Sequence, residues 1–293
     1  MSNRSIRDNH VTVSTVLKAC PACDRPTQQT LLYRTNDCDI WYCESCGLGR
    51  TDAAEFDPTS YYDAGYFSGD RPDGYADYRA SEPILRREFA RAVEFIRDYR
   101  GRGRLLDIGC AYGFFLQEAR KRFDVCGIEL AADAAAHARR NGLNVMTGVA
   151  DDATLDQLGM FDVITMFDVI EHLGDPRATL ALVRRHLNPG GIVVMTTGDF
   201  GSPVARLLGA RWRLMTPPQH LWFFTVESMR RLSVALGLRF VRHDHPAKIV
   251  PLSLMLFQAS RMLGLRSAPK IAGGIGIPVN LFDAMRIVLR KAT

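Results

Sequence analysis

RLLDIGCAYGFFLQEARKRFDVCGIEL, residues 104–130, decides the fold. It opens on Leu105-Leu106-Asp107-Ile108, a mostly apolar run that reads as a buried parallel strand. The run breaks at Gly109-Cys110-Ala111-Tyr112-Gly113, and helical spacing follows through Phe115, Leu116, Ala119 and Phe123. A second apolar strand, Val125 to Ile128, closes on Glu129, with Leu130 after it. The pattern is one βαβ unit with a glycine turn at the carboxyl end of its first strand. Glycine has no Cβ and tolerates positive φ, so such a turn lets backbone approach a ligand closely. Glu129 lies 22 positions after Asp107, where an acid can accept hydrogen bonds from two ribose hydroxyls.

Downstream, strands and helices alternate. An alanine-rich helix, expected to be capped by Asp133, stops at Asn141-Gly142, and residues 144–148 read as a third strand. Residues 161–167 (FDVITMF) read as a fourth strand. Asp175 and Pro176 cap a helix over 177–187, and Asn188-Pro-Gly-Gly191 turns into a fifth strand over 192–196. Residues 238–243 and 283–291 supply a sixth and a seventh. Alternation of this kind predicts an α/β, doubly wound sheet of seven strands. Upstream, Ser81-Glu82-Pro83 starts a helix whose apolar face is Ile84, Leu85, Phe89, Ala92, Val93 and Ile96.

Nearer the N-terminus stand two C-x-x-C pairs, Cys20/Cys23 and Cys43/Cys46, 19 residues apart. Their spacing predicts a small four-cysteine zinc ribbon, each pair offering two thiolates to one tetrahedral ion. Cys38, Cys110 and Cys126 are left without a ligand role. Between Lys18 and Arg50 four basic and four acidic residues balance, which argues against this module gripping a phosphate backbone. Residues 61–78 hold six aromatics among Gly, Asp and Pro, and suit either a segment folded over a ligand or a strap between ribbon and core.

The net charge of +5 hides an asymmetry. Residues 201–293 carry 14 Lys and Arg against three acids (Glu227, Asp244 and Asp283), whereas the first 200 hold 23 basic and 29 acidic residues. A basic final third suits an anionic substrate, nucleic acid, an acidic membrane surface, or simply a solvated face. No run of 18 apolar residues occurs and the first 17 residues are polar, so a cytoplasmic protein is expected. The insert 249–278 begins IVPLSLMLFQASRMLGLR, apolar with Arg261 and Arg266 at its end, and could serve as a lid, a dimer face or a membrane-peripheral helix.

A dinucleotide site would carry G-x-G-x-x-G. The order here is Asp107-x-Gly109-x-x-x-Gly113, which resembles motif I of class I S-adenosylmethionine (SAM) methyltransferases, and Glu129 resembles their ribose-binding acid. One departure is Ala111, where those enzymes usually have a middle glycine; a slightly altered turn with SAM binding retained is expected. FDVITMFDVIEHLGDP (161–176), the NPGG turn and PPQHLWFF (217–224) together resemble one branch of that class. It includes the ubiquinone-biosynthesis O-methyltransferases and bacterial enzymes acting on sugars, surface glycans and secondary metabolites. The order ribbon, aromatic segment, core is similar to the sugar and glycan group.

The resemblance implies a Rossmann-like core over residues 101–293, an aromatic linker and helix at 56–100, a ribbon at 18–55 and a flexible tail at 1–17. It implies SAM contacts through Asp107, Gly109, Cys110, Gly113, Glu129 and Leu130, with Asp151, in the turn after the third strand, on the adenine side. A hydroxyl acceptor must lose a proton to a base or a metal-bound group. His172, His220 and Asp168 are the candidate catalytic residues. Asp168-x-x-Glu171-His172 also matches the E-x-x-E-H pattern that holds a divalent cation in ubiquinone O-methyltransferases and small-RNA 2′-O-methyltransferases. A distant histidine adds a fourth ligand in the latter, a place open to His220. Base without metal, metal site and substrate positioning all remain open for this group.

The acceptor implied is a sugar-containing or other small molecule, or a lipid-linked glycan, carrying negative charge. Two other readings stand beside it: a ribosomal-RNA methyltransferase, and a non-catalytic SAM-binding scaffold whose ribbon docks a partner.

Overall fold

A computed structural model describes residues 14–52, 78–251 and 276–293. The aromatic segment up to residue 77, the tail before residue 14 and most of the apolar insert lie outside the described residues.

Seven strands form the main sheet: β5 (Arg104–Ile108), β6 (Asp124–Glu129), β7 (Asn144–Thr147), β8 (Phe161–Phe167), β9 (Leu187–Gly198), β11 (Leu238–Asp244) and β14 (Ala284–Lys291). Their order is β11-β14-β9-β8-β5-β6-β7. β5 through β9 pair in parallel, and β14 runs antiparallel to both β9 and β11. Successive side chains of a strand alternate faces. Leu106, Ile164 and Val193 therefore pack with α5 (Pro176–Arg185) and α6 (Val226–Ala235) on one face. Leu105, Val163 and Ile192 pack on the other with α1 (Glu82–Arg97), α2 (Phe114–Ala119) and α3 (Ala132–Arg140). Central strands covered on both faces read as mostly apolar runs; Asp107 and Thr165 are buried polar exceptions, bonded to each other.

Several boundaries differ from expectation. β9 starts at Leu187, so the Asn188–Gly191 turn lies within it: Phe161 pairs with Leu187 and Val163 with Ile192, and the intervening residues bulge out. Asp133 does not cap α3. Ala131 stands at the N-cap, while Asp133 in the first turn accepts a hydrogen bond from the Tyr112 hydroxyl (3.1 Å). Asp175 does cap α5, accepting from the Ala178 N–H (2.9 Å).

The ribbon consists of β1 (Thr15–Cys20), β2 (Arg25–Thr35), β3 (Cys38–Cys43) and β4 (Gly49–Asp52), an antiparallel sheet. It begins three residues ahead of the expected Lys18. A fifth strand joins it from the core: β10 (Trp222–Phe223) pairs with β4, Trp222 opposite Arg50 and Phe223 opposite Gly49. Cys20, Cys43, Cys46 and Leu48 belong to the same buried cluster as Phe224 and Met229. Ribbon and core are therefore one packed body on this face.

Candidate functional site

In open α/β sheets ligands bind beyond the carboxyl ends of the strands. β5, β6, β8, β9 and β11 deliver Gly109, Glu129, Asp168, Asp199 and His245 to that rim, and the start of β14 brings Asp283. The glycine turn after β5 is held to β6 by the N–H groups of Gly109 and Cys110, both donating to the Ile128 carbonyl (2.8 and 3.1 Å). Gly109 (φ 76°) and Gly113 (φ 80°) occupy the left-handed region, and so does Ala111 at 46°. A Cβ on Gly109 would meet Val169 at 2.6 Å, and one on Gly113 would meet Leu143 at 2.4 Å. Those two positions require glycine; position 111 tolerates a methyl at a strain of about 1–2 kcal/mol.

Ala111 donates its N–H to Glu129 Oε2 (2.7 Å), and Ala131 donates to Oε1 (2.8 Å). Each carboxylate oxygen has a further lone pair with which to accept from a ribose hydroxyl. Burial raises the Glu129 carboxyl above its ordinary value despite these bonds. Asp107 is 3% exposed and accepts from Thr165 Oγ1 (2.7 Å). Burial pushes it up to about 8, with the Glu129 charge adding to the effect. Cys110 is buried and Leu130 half-buried beside Glu129. Asp151 is exposed and caps α4 (Asp152–Leu158), accepting from the Thr154 N–H (2.8 Å), which lowers its carboxyl.

Past β8 the chain turns through Asp168 (φ 54°) into a single 3-10 turn, Ile170–His172. His172 and His220 meet there, ring centroids 4.7 Å apart. His172 Nδ1 lies 2.8 Å from the Gln219 carbonyl and His220 Nδ1 lies 2.7 Å from that of Leu214. A carbonyl only accepts, so each Nδ1 carries the hydrogen and each Nε2 is the acceptor nitrogen. Burial lowers both pKa values, His220 to about 3, with His172 as the second cause. Glu171 is 3% exposed; burial first, and the Asp168 charge second, push it up to about 8. Its Oε2 has no hydrogen-bond partner among the described residues. One ligand atom each of Glu171, His172 and His220 lie within 4.8 Å of one another.

Asp168 stands outside that group of three. Its Oδ2 takes the Lys248 ammonium (2.5 Å) and its Oδ1 accepts from Thr196 Oγ1 (2.8 Å). Burial opposes its charge, but Lys248, with the Thr196 hydroxyl and His172, holds the carboxyl below its ordinary value. Lys248 opens β12 (Lys248–Pro251), which pairs with β13 (Gly276–Val279), and Ile249 N–H donates to Glu88 Oε2 on α1 (2.8 Å). The base of the insert thus crosses the rim from β11 to α1. Lys248 carried no sequence signal, because its partner is 80 residues away.

The ribbon cysteines form a compact cage. Cys20 and Cys46 sulfurs are 3.6 Å apart, Cys23 and Cys43 3.9 Å, and all four lie within 4.8 Å. Zinc–sulfur bonds of about 2.3 Å in a tetrahedron require sulfur–sulfur edges of about 3.8 Å, so the cage has the right dimensions.

Residues 78–243 match the methyltransferase-domain family, more than half of the chain. The chain belongs to that family. Together with that match, its sheet order, with one antiparallel strand inserted next to the last, makes it a class I SAM-dependent methyltransferase. Similar proteins include the ubiquinone biosynthesis O-methyltransferase of Cereibacter sphaeroides, 34% identical over 167 residues, covering 50% of this chain and 66% of that protein. The enzyme of the same name from Methylococcus capsulatus is 33% identical over 157 residues, 50% of this chain and 65% of its own. The match spans a little under two thirds of those relatives. A SAM-dependent methyltransferase from Archaeoglobus fulgidus shares the fold, with a TM-score of 0.50 at 19% identity, over 70% of this chain and 94% of that one. The four cysteines and the insert lie outside the family match.

Proposed function

We propose that this methyltransferase transfers a methyl group to a hydroxyl oxygen of a small-molecule acceptor, one carrying a sugar or a lipid-linked glycan and negative charge. The observation that carries the reading is the histidine pair after β8, each Nδ1 tied to a carbonyl, which makes Nε2 the acceptor nitrogen of each neutral ring. Bound SAM supplies a methyl carbon already activated by its sulfonium. The chain then has two tasks. The turn Gly109–Gly113, Asp107, Leu130 and the Glu129 lone pairs hold the cofactor, with Asp151 at the adenine end. His172 or His220 takes the acceptor's proton at Nε2 as the oxygen forms its bond to carbon. Asp168 acts through Lys248, fixing the covering hairpin. The names of the similar proteins support oxygen as the acceptor atom, and the basic final third supports an anionic handle.

A second reading rests on the orphaned Glu171 Oε2: Glu171, His172 and His220 would hold a divalent cation, which would lower the pKa of an acceptor hydroxyl bound to it. The cage of Cys20, Cys23, Cys43 and Cys46 would hold a structural zinc.

Calorimetry tests the cofactor site. Glu129→Ala is expected to weaken SAM binding at least tenfold from a micromolar-range affinity; wild-type binding in that variant would overturn the assignment. With an acceptor found by screening, His172→Gln or His220→Gln should lose turnover while SAM affinity holds. A vesicle-flotation assay and structured RNA as alternative acceptor separate a lipid-linked glycan from a ribosomal-RNA substrate.

A further inference from the structure

His220 sits on a segment with little regular structure of its own. Between Met215 and the two-residue strand β10 the chain has no helix, and it runs through Pro217 and Pro218. Yet the ring must stay within a few tenths of an ångström of a working position to serve as a base. Its own bonds account for part of this: the His220 N–H donates to the Thr216 carbonyl (3.1 Å), and Nδ1 is tied to Leu214. The remaining restraints come from two sides.

On the core side, the Leu221 N–H donates to the Glu171 carbonyl (2.9 Å) and His172 Nδ1 reaches Gln219. On the other side the hydrogen bonds among the described residues come from the ribbon. Thr51, 5% exposed on β4, donates its hydroxyl to the His220 carbonyl (2.6 Å), and its N–H donates to the Leu221 carbonyl (2.9 Å). Asn36 Nδ2 donates to the Pro217 carbonyl (2.9 Å). Asn36 and Asp37 both have positive φ (49° and 56°) between the paired residues Thr35 and Cys38, the two-residue turn that joins β2 to β3. The hairpin tip and the ribbon's edge strand therefore grip the segment at both ends of the sequence 217–221. β10 extends that grip as a fifth strand of the ribbon sheet.

We propose that Thr51 and Asn36 are positioning residues for the histidine pair, so that the ribbon is a working part of the active site. The proposal rests on the reading of His220 as an acceptor-side base. In it the ribbon presses the 217–221 segment against the Ile170–His172 turn and sets the packing of the two rings. A ribbon that docked a separate partner through its β4 edge is incompatible with this arrangement, because β10 already occupies that edge.

The test uses full-length, zinc-loaded protein labelled with 13C in its histidine rings. Ring resonances of His172 and His220, assigned from His172→Gln and His220→Gln, report the packing of two rings in contact. Thr51→Val removes only the hydroxyl bond, Thr51→Ser keeps it, and Asn36→Gly keeps the turn while deleting the side chain. Both resonances are expected to move beyond their linewidth in Thr51→Val and Asn36→Gly, and to stay in Thr51→Ser. Zinc content should be unchanged and the SAM dissociation constant should stay within about twofold. Unmoved rings in both Thr51→Val and Asn36→Gly would overturn the proposal, as would equal shifts in Thr51→Ser and Thr51→Val. His220→Gln retaining full methyl transfer would instead remove the assignment of the base and leave the mechanical coupling standing.

Discussion

Asp107 is an acid placed where the fold resists its charge. Its carboxyl is 3% exposed, with Thr165 as its side-chain donor and the Glu129 carboxylate as a near neighbour. With a folded value of about 8 against an ordinary 3.8, the native state binds this proton more tightly than the unfolded chain does. Stability from this site is then complete below the unfolded value and is lost as pH rises through 8. Asp107→Asn should raise the denaturation midpoint at pH 8 by a few degrees, at about 2–4 °C per kcal/mol, with the gap closing near pH 4. A thermal gap independent of pH would contradict the buried-charge account. The same variant should bind SAM more weakly, since a residue that costs stability at neutral pH is kept for the site rather than for the fold. Ala111 also stores strain, at φ 46° with its N–H on Glu129. Both residues were legible from the motif, but the sign of the first one's cost was not, because burial depends on Thr165 and β8.

Among elements, the ribbon decides most. Thr27 Oγ1 lies 3.1 Å from the Cys43 sulfur, and the Cys20 thiol is drawn down to about 5 by its contact with Cys46. Elemental analysis should find one zinc per chain, with a marked loss in Cys43→Ser. The cysteines share a buried cluster with Phe224 and Met229, so that variant should also lower the midpoint of a single unfolding transition for the whole chain. A separate, early ribbon transition with the core midpoint unchanged would show two independent units. The C-x-x-C spacing predicted the cage. It did not predict that β10 would join β4, since two residues of a β-strand carry no periodicity to read.

Across the whole molecule, the hairpin β12–β13 joins the far edge strand β11 to α1 over the rim. Its tie is Lys248, which meets Asp168 and faces Glu88. Lys248→Met keeps the apolar stem but leaves two acids without their cation. Hydrogen exchange at 248–251 and 276–279 should then speed up about tenfold or more, with SAM affinity unchanged. Unaltered protection would mean that the Glu88 bond to Ile249 and strand pairing hold the hairpin alone. Among the described residues no helix is long and apolar enough to cross a membrane.

What the sequence determined by itself was local: glycines at forced φ, apolar runs of strand length, acids closing strands, and cysteine pairs at ligand spacing. These follow from the sterics of single residues and from periodicity, so they predict the βαβ unit, the alternation of strands and helices, and the cage. The tertiary structure decided the rest. It set β14 antiparallel between β9 and β11. It brought His220 against His172 across 47 intervening residues. It set Asp168 against Lys248, and it merged the ribbon with the core. Each of these depends on which sheet edge remains unpaired and where a returning segment can satisfy its backbone groups. That is a property of the assembled sheet, and no stretch of the chain encodes it alone.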